Sequence, residues 1–297
     1  MQIVVLLSVY GKIIKKLEIL DIKMSKLLND KYYTPPELAK RLIKTTITVL
    51  VNSGIKDITD VIEPSAGSGS FSKQIKCTAY DIEPEADGII KADFLTEPIE
   101  YKSGRLCIGN PPFGNSNSLS IRFYKKCCEI GDYIAFIQPI SQYNNNLQMY
   151  QFDLIYSEDL GIVKYSDREL HCCFNIYKRP ANGEFNPKPD YTLKDITIIE
   201  HRRKKGEYHT GANKEIKPDY DYAMCNWGNG SLGKVPQYVG QYAQEVYFYC
   251  HNKKYKDILT KLLEYDTIRA YVKSISGKRI SVMRLYKYLK DNIEGIE

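Results

Sequence analysis

Residues 61–71 read VIEPSAGSGSF, a short apolar run followed by small residues. Small residues let a backbone approach a ligand closely, and the N-terminus of a following helix favours negative charge. This segment therefore predicts a strand, a tight glycine-rich turn and a helix over 71–76. It is not a complete dinucleotide fingerprint, because Ser72 stands where the third glycine or alanine would be. Taken alone, Gly67-Ser68-Gly69 would equally suit an ordinary tight turn.

Strands and helices alternate on both sides of this segment. The apolar spacing of residues 36–51 is helical, and Pro35 and Pro36 stand at its start, where proline is favoured. Further strands are predicted at 58–62, 77–82, 105–109, 133–139 and 172–177, and a further helix at 118–130. Such alternation predicts an α/β fold with a mainly parallel sheet.

The composition and hydrophobic pattern of the chain change after Lys178. Residues 179–190 are rich in proline, asparagine and glycine, which is typical of a linker. Short strand-like runs follow at 196–200 and 245–249, and the pattern is helical from Tyr255 onward. The sequence therefore predicts a smaller C-terminal α+β region.

Charge separates the two parts of the chain more clearly than the net value of +6 suggests. Residues 1–193 are balanced, whereas residues 194–297 hold 19 lysines and arginines against 13 acidic residues. Residues 181–297 also hold 13 of the 25 tyrosines, and basic residues interleaved with aromatic ones suit phosphate contact and base stacking. A solvated basic surface is the alternative. The candidate nucleic-acid-binding residues are Arg202, Arg203, Lys204 and Lys205.

Cysteine usage indicates a reducing compartment. The eight cysteines form no CxxC pair and the four histidines do not fall at zinc spacing, so no metal site is expected. We expect a cytoplasmic protein, or one inside a host cell if the source is a virus. Residues 1–10 are apolar but too short to span a bilayer. Met24 would make a natural start, so residues 1–29 are interpreted as an extension, either non-native or packed on the domain.

Two further motifs carry chemistry. Asp81 ends the strand at 77–82, where an acidic side chain can bind ribose hydroxyls or simply cap the next turn. Asn110-Pro111-Pro112-Phe113 follows the strand at 105–109. The prolines fix the backbone and leave carbonyl oxygens free to accept, Asn110 adds an amide oxygen, and Phe113 adds a flat face for stacking. This set suits an exocyclic amine on a flat ring.

In this order, the motifs resemble the adenine-specific (N6) amino-methyltransferases of DNA, with gamma-type motif order and an Asn-Pro-Pro-Phe catalytic segment. The resemblance covers roughly residues 30–178 and adds YTPPE at 33–37 and KADFL at 91–95. It implies a Rossmann-like class I methyltransferase sheet with helices on both faces. It also implies an S-adenosylmethionine-dependent catalytic domain at 30–180 and target recognition at 181–297.

The resemblance assigns roles residue by residue. In S-adenosylmethionine, the methionine carboxylate would be bound by Thr34 and the ribose hydroxyls by Asp81. Asp93 would accept from the amine of the cofactor's adenine, and Phe94 would pack on the adenine ring. The implied cofactor-binding residues are Thr34, Pro35, Glu63, Pro64, Ser65, Ala66, Gly67, Asp81, Ile82, Asp93 and Phe94. The implied catalytic residues are Asn110, Pro111, Pro112 and Phe113. Phe113 and Phe174 are the candidates for stacking on the target base.

The implied activity is site-specific transfer of a methyl group from S-adenosylmethionine to the N6 amino group of a flipped-out adenine in double-stranded DNA. A restriction-modification system, with a cognate restriction endonuclease acting on the same site, is one expected context. Two alternatives stay open: an RNA adenine-N6 methyltransferase, and a non-catalytic nucleic-acid-binding protein that kept the fold. A glutamine side chain as substrate is disfavoured, because a protein amide needs no basic surface.

Overall fold

The computed structural model describes residues 33–55, 57–165, 168–204, 220–228, 230–275 and 279–297. The predicted extension at 1–29 and Lys205 lie outside this range. The chain divides into two compact units, one ending at Asn186 and the other beginning at Pro187. The division falls inside the stretch 179–190 that is rich in proline and asparagine.

The first unit is built on one seven-stranded sheet. Its elements are helix α1 (Pro36–Asn52), strands β1 (Asp60–Glu63), β2 (Thr78–Asp81), β3 (Ile90–Lys91) and β4 (Arg105–Gly109), helix α2 (Ser118–Ile130), and strands β5 (Tyr133–Pro139), β6 (Asp153–Tyr165) and β7 (Arg168–Lys178). The strand order is β3-β2-β1-β4-β5-β7-β6. The first five strands in that order are parallel, and β7 runs antiparallel to both β5 and β6.

Alternating side chains of the central strand β4 place helices on both faces of this sheet. Leu106 and Ile108 belong to the apolar cluster that includes residues of α1. Cys107, on the opposite side of the strand, belongs to the cluster that includes residues of α2. The prediction of a Rossmann-like α/β sheet with helices on both faces is confirmed.

Two local predictions differ from the structure. Residues 71–76 form a single turn, with α-type bonds from Lys73 N to Gly69 O and from Ile75 N to Phe71 O, and no helix follows. The strand expected at 172–177 is the second half of a long hairpin formed by β6 and β7. The sequence did not predict β6, because this strand lies at the sheet edge. Most of its side chains are half-buried there, and buried and exposed positions do not alternate clearly.

The second unit is the smaller α+β region that the sequence predicts. Strands β8 (Ile196–Arg202), β9 (Tyr222–Cys225) and β10 (Gln244–Cys250) form an antiparallel sheet in the order β8-β10-β9. Helices α3 (Lys256–Leu262), α4 (Tyr265–Ile275) and α5 (Val282–Asn292) follow. Phe248, Leu259 and Leu285 lie in one apolar core that joins the sheet to the helices.

Within the described ranges, every helix is too short or too polar to cross a bilayer. The same residues contain no group of three or more histidine, cysteine or acidic side chains suited to holding a metal ion.

An ion pair fixes the end of the first unit's sheet. The Asp132 carboxylate accepts hydrogen bonds from the Gly104 amide at 2.8 Å, the Tyr101 hydroxyl at 2.9 Å and Arg179 Nε at 2.8 Å. Burial opposes ionisation, but these donors outweigh it and hold the pKa of Asp132 below its ordinary value. Arg179 also donates to the Gly131 carbonyl, so the start of the linker stretch is bound to the segment that precedes β5.

We predict that Asp132→Asn lowers the free energy of unfolding by about 1–3 kcal/mol at pH 7, because a charged acceptor of several bonds is lost. A lowered pKa contributes stability above the unfolded value and loses it as the pH falls, so the difference should shrink below about pH 4. Urea unfolding at several pH values measures this, with the exposed Glu184→Gln as control. A difference that is constant with pH would contradict the assignment.

Candidate active site

A cavity of about 360 Å³ opens at the carboxyl ends of the parallel strands. Glu63 ends β1, Asp81 ends β2, and Asn110 directly follows β4. Since β2 and β4 flank β1 on opposite sides, the chain leaves the sheet in two directions there and a crevice results. The volume lies in the range of small-molecule sites.

The sequence predicted most of this lining. Ten of the eleven expected cofactor residues line the cavity: Thr34, Glu63, Pro64, Ser65, Ala66, Gly67, Asp81, Ile82, Asp93 and Phe94. Pro35 is not among them; it precedes the first residue of α1. Asn110 and Pro112 from the catalytic segment line the same cavity.

Asp81 combines the two roles that the sequence left open. Its Oδ2 accepts from the Gly67 amide at 2.7 Å and its Oδ1 from the Glu83 amide at 2.8 Å, so the carboxylate holds the glycine-rich turn against the end of β2. Gly67 has a φ of 53°, a conformation that favours glycine. The carboxylate nevertheless lines the cavity and keeps acceptor capacity for a ligand hydroxyl.

Glu63 is a buried carboxyl group at the floor of the turn. Its Oε2 accepts from the Ser72 amide at 2.8 Å, and the side chain is only 2% exposed. Burial is the main cause that raises its pKa to about 7. Nearby, the Ser65 hydroxyl is buried without a hydrogen-bond partner among the described residues. A polar, cationic ligand would therefore satisfy two groups that the protein itself leaves unfavourably placed.

Aromatic rings form the other end of the cavity. Phe94, 1% exposed, stacks on Phe123 with ring centroids 5.7 Å apart and planes 7° from parallel. Asp93 lies beside them and receives the Leu95 amide on Oδ1 at 3.0 Å. Flat rings next to an acidic acceptor suit a purine with an exocyclic amine.

Several lining residues were missed by the sequence reasoning. Leu119, Arg122 and Phe123 all lie on α2 and line the cavity. Their spacing of three and four residues puts them on one helical face, a signal that could have been used once the helix was predicted. Tyr33 also lines the cavity, and its hydroxyl donates to Glu85.

The catalytic segment is held by contacts distant in sequence. Asn110 Nδ2 donates to Thr34 Oγ1 at 3.2 Å, and Thr34 is 4% exposed. The Asn110 side chain also hydrogen-bonds Tyr165, a fully buried residue at the end of β6 whose hydroxyl donates to Cys172 Sγ at 3.5 Å. Burial above all raises the pKa of Tyr165 well above its ordinary value, so it stays neutral.

The structure places the two expected stacking residues in the core rather than in the cavity. Phe113 is 8% exposed and Phe174 is fully buried, and both pack in the core cluster on the α1 side of the sheet. Neither lines the cavity, nor does the buried Pro111. β7 lies inside the sheet between β5 and β6, which explains why Phe174 is covered on its strand.

The candidate nucleic-acid-binding residues differ from one another in exposure. Arg202 is 57% exposed and pairs with Glu200 at 2.7 Å. Arg203 is only 17% exposed and pairs with the fully buried Glu245 at 3.0 Å, so it holds a loop and is a poor candidate for phosphate contact. Lys204 is exposed, and Lys205 lies outside the described residues.

Comparison of the sequence with models of protein families finds no match, and comparison with curated proteins finds none either. Three solved structures are similar in fold. A Thermoplasma acidophilum protein has 18% identity and a TM-score of 0.35, covering 46% of this chain and 84% of its own. A Pyrococcus horikoshii protein described as a candidate RNA methyltransferase has 14% identity and a TM-score of 0.39. The match covers 50% of this chain and 86% of that protein.

The third structure, the 23S rRNA methyltransferase ErmE, has 14% identity and a TM-score of 0.37, covering 51% of this chain and 70% of its own. At these identities and TM-scores the likeness, which covers about half of the chain, carries no argument about family or activity. Any conclusion about activity therefore depends on the residues of the cavity.

We predict that Glu63→Gln flattens the pH dependence of stability. A carboxyl group whose folded pKa is about 7, above the unfolded value of about 4.3, contributes stability at low pH and loses it as the pH rises through 7. The wild type should therefore lose about 3 kcal/mol relative to Glu63→Gln between pH 4 and 8. Urea unfolding of the ligand-free protein measures both curves; parallel curves would contradict the raised pKa.

Proposed function

We propose that this chain is an S-adenosylmethionine-dependent methyltransferase that modifies the N6 amino group of adenine in DNA. One observation carries the proposal: Asn110, which leads into the double proline, lines the same cavity as the carboxylates of Asp81 and Asp93. An acceptor suited to a planar amine thus lies next to a pocket suited to an adenosine with a cationic tail.

The lining residues fit this cofactor group by group. Asp81 would hold the ribose hydroxyls and Asp93 the adenine amine, with Phe94 on the ring face. Thr34 would bind the methionine carboxylate, and Glu63 supplies a buried counter-charge for the cationic tail. When bound, the cofactor supplies an electrophilic methyl group on its sulfonium. A nearby cation would also favour the ionised form of Glu63, offsetting its burial.

Asn110 would orient the amine of the target base. Its amide nitrogen donates to Thr34, so the carbonyl oxygen is the atom suited to accept an N–H from the substrate. The resemblance implies a second acceptor in the backbone carbonyl of Pro111, which would have to become accessible to the base, since Pro111 does not line the cavity. Two such bonds draw the lone pair out of the ring system and toward the methyl donor, which is catalysis by positioning and electrostatics. The base must leave the duplex to reach this pocket.

Incubation with radiolabelled S-adenosylmethionine and separate pools of DNA, RNA and protein tests the proposal. Label recovered as N6-methyladenine in DNA is the expected result. RNA is the second substrate to test, because the same amine occurs there. Transfer to RNA alone would replace the DNA proposal. Absence of transfer together with absence of cofactor binding by calorimetry would favour the non-catalytic alternative.

We predict that Asn110→Ala lowers kcat by about 100-fold or more, because an acceptor used in the transition state is lost. Cofactor affinity should change little, since Asp81, Asp93 and Glu63 are untouched. Calorimetry measures binding and the labelled assay measures transfer. Retained transfer in this variant would remove Asn110 from the mechanism.

Tyr165 is proposed as a positioning residue for Asn110. We predict that Tyr165→Phe lowers kcat about tenfold with little change in KM, because one of the bonds that orient the amide is lost while the ring remains. Loss of this buried hydroxyl should also lower Tm, to a similar extent as in the control. Tyr124→Phe is the matched control: its buried hydroxyl accepts from the Phe152 amide, on the other face of the sheet. That variant should lose stability and keep kcat. Equal kcat in the wild type and Tyr165→Phe would contradict the role.

A further inference from the structure

The chain contains a single tryptophan, and it lies at the surface of the second unit. Trp227 follows β9 and is 50% exposed. Large aromatic side chains contribute most of their burial energy only when covered, and a half-exposed indole on a rigid scaffold is typical of a contact residue.

The backbone around Trp227 is fixed by several bonds. Its carbonyl accepts from the Ser231 hydroxyl at 2.8 Å and from Cys225 Sγ at 3.0 Å, and its backbone pairs with that of Arg279. Gly228 allows the tight turn that follows, with a φ of 102°. The backbone from which the indole projects is therefore ordered before any partner arrives, which reduces the entropy cost of binding.

A buried asparagine anchors this turn to the neighbouring chain. Asn226 is fully buried, and its side-chain Nδ2 donates to Glu200 and to the Ile280 carbonyl. The backbone carbonyl of Asn226 in turn accepts from the Ile280 amide at 3.1 Å. Hence the strand end that carries Trp227 and the segment that carries Arg279 are fixed together.

Two guanidinium groups share the carboxylate of Glu200, which also accepts from Asn226, the residue that precedes Trp227. Glu200 pairs with Arg202 at 2.7 Å and with Arg279 at 3.2 Å, and is itself only 14% exposed. Arg202 and Arg279 are 57% and 39% exposed, so both side chains reach the surface of this unit. The cluster has a net charge of +1. The unit from 187 to 297 holds 20 lysines and arginines against 14 acidic residues.

We infer that Trp227, with Arg202 and Arg279 beside it, forms a nucleic-acid contact in which the indole stacks on a base and the guanidinium groups meet phosphates. An aromatic platform flanked by arginine suits a polyanion that carries flat rings. A protein partner would use the indole but would gain little from the positive field. The inference rests on the proposed function for its partner, and it names the residues that make the contact.

The single tryptophan makes a direct test feasible on the unaltered protein. Emission of Trp227 is followed during titration with a 20-base-pair duplex containing adenine, the corresponding single strands of DNA and RNA, and heparin. We expect quenching by the nucleic acids and no quenching by heparin, which carries charge without bases. Binding itself is followed in parallel by the anisotropy of a labelled oligonucleotide.

Variants test the energetic contribution of each group. Trp227→Ala should weaken binding about tenfold, whereas Trp227→Phe should keep most of the affinity. Arg202→Gln should reduce the slope of log affinity against log salt concentration by about the value of one phosphate contact. The matched controls are Tyr265→Ala, an aromatic 37% exposed on the same unit, and Lys194→Gln, 86% exposed. Both controls should bind like the wild type.

The outcomes separate this inference from the proposed function. Unchanged emission at saturating nucleic acid, or equal affinity of Trp227→Ala and wild type, overturns the contact even if label enters N6-methyladenine. Quenching without any methyl transfer supports the contact and overturns the activity. Quenching by RNA alone supports the contact and replaces DNA as its partner. Capture of a protein with no response to nucleic acid overturns the inference in favour of a protein interface.

Discussion

The reversal of strand order at β1 is the constraint on which the candidate site depends. β2 lies on one side of β1 and β4 on the other, and all three strands run parallel. Their carboxyl ends therefore meet at one edge, while the loops that leave them diverge and cannot fill the space between. Glu63, Asp81 and Asn110, which are far apart in sequence, come together for this reason alone.

The loops at this edge are held mainly by side chains that also face the cavity. Asp81 binds the amide of Gly67, Glu63 binds the amide of Ser72, and Asn110 binds Thr34. Each polar group thus orders the backbone before a ligand arrives, and reorganisation on binding is small. The arrangement has an energetic cost at Glu63, whose burial disfavours its charge in the ligand-free protein.

Local signals in the sequence were sufficient for five of the seven strands of the sheet and for most of the cavity. The bounds of β4, α2 and β5 agree with the predicted segments because each is a continuous run that is apolar or periodic and ends at glycine or proline. The errors concern tertiary burial. A phenylalanine in a strand has the same local pattern whether it faces a base or the core, so Phe174 could not be placed. Likewise, only the fold shows that Arg203 forms a salt bridge with Glu245, which lies 42 positions later in the sequence.

Charge divides the molecule according to ligand type. The cavity is lined by the acidic residues Glu63, Asp81, Glu83 and Asp93, with Arg122 as a basic residue on α2. Such a lining repels phosphate groups and attracts a cationic ligand. The second unit carries the excess of lysine and arginine, including the two arginines that pair with Glu200. Only the flipped-out base of a polyanion therefore suits the acidic cavity, whereas its phosphates suit the basic residues of the second unit.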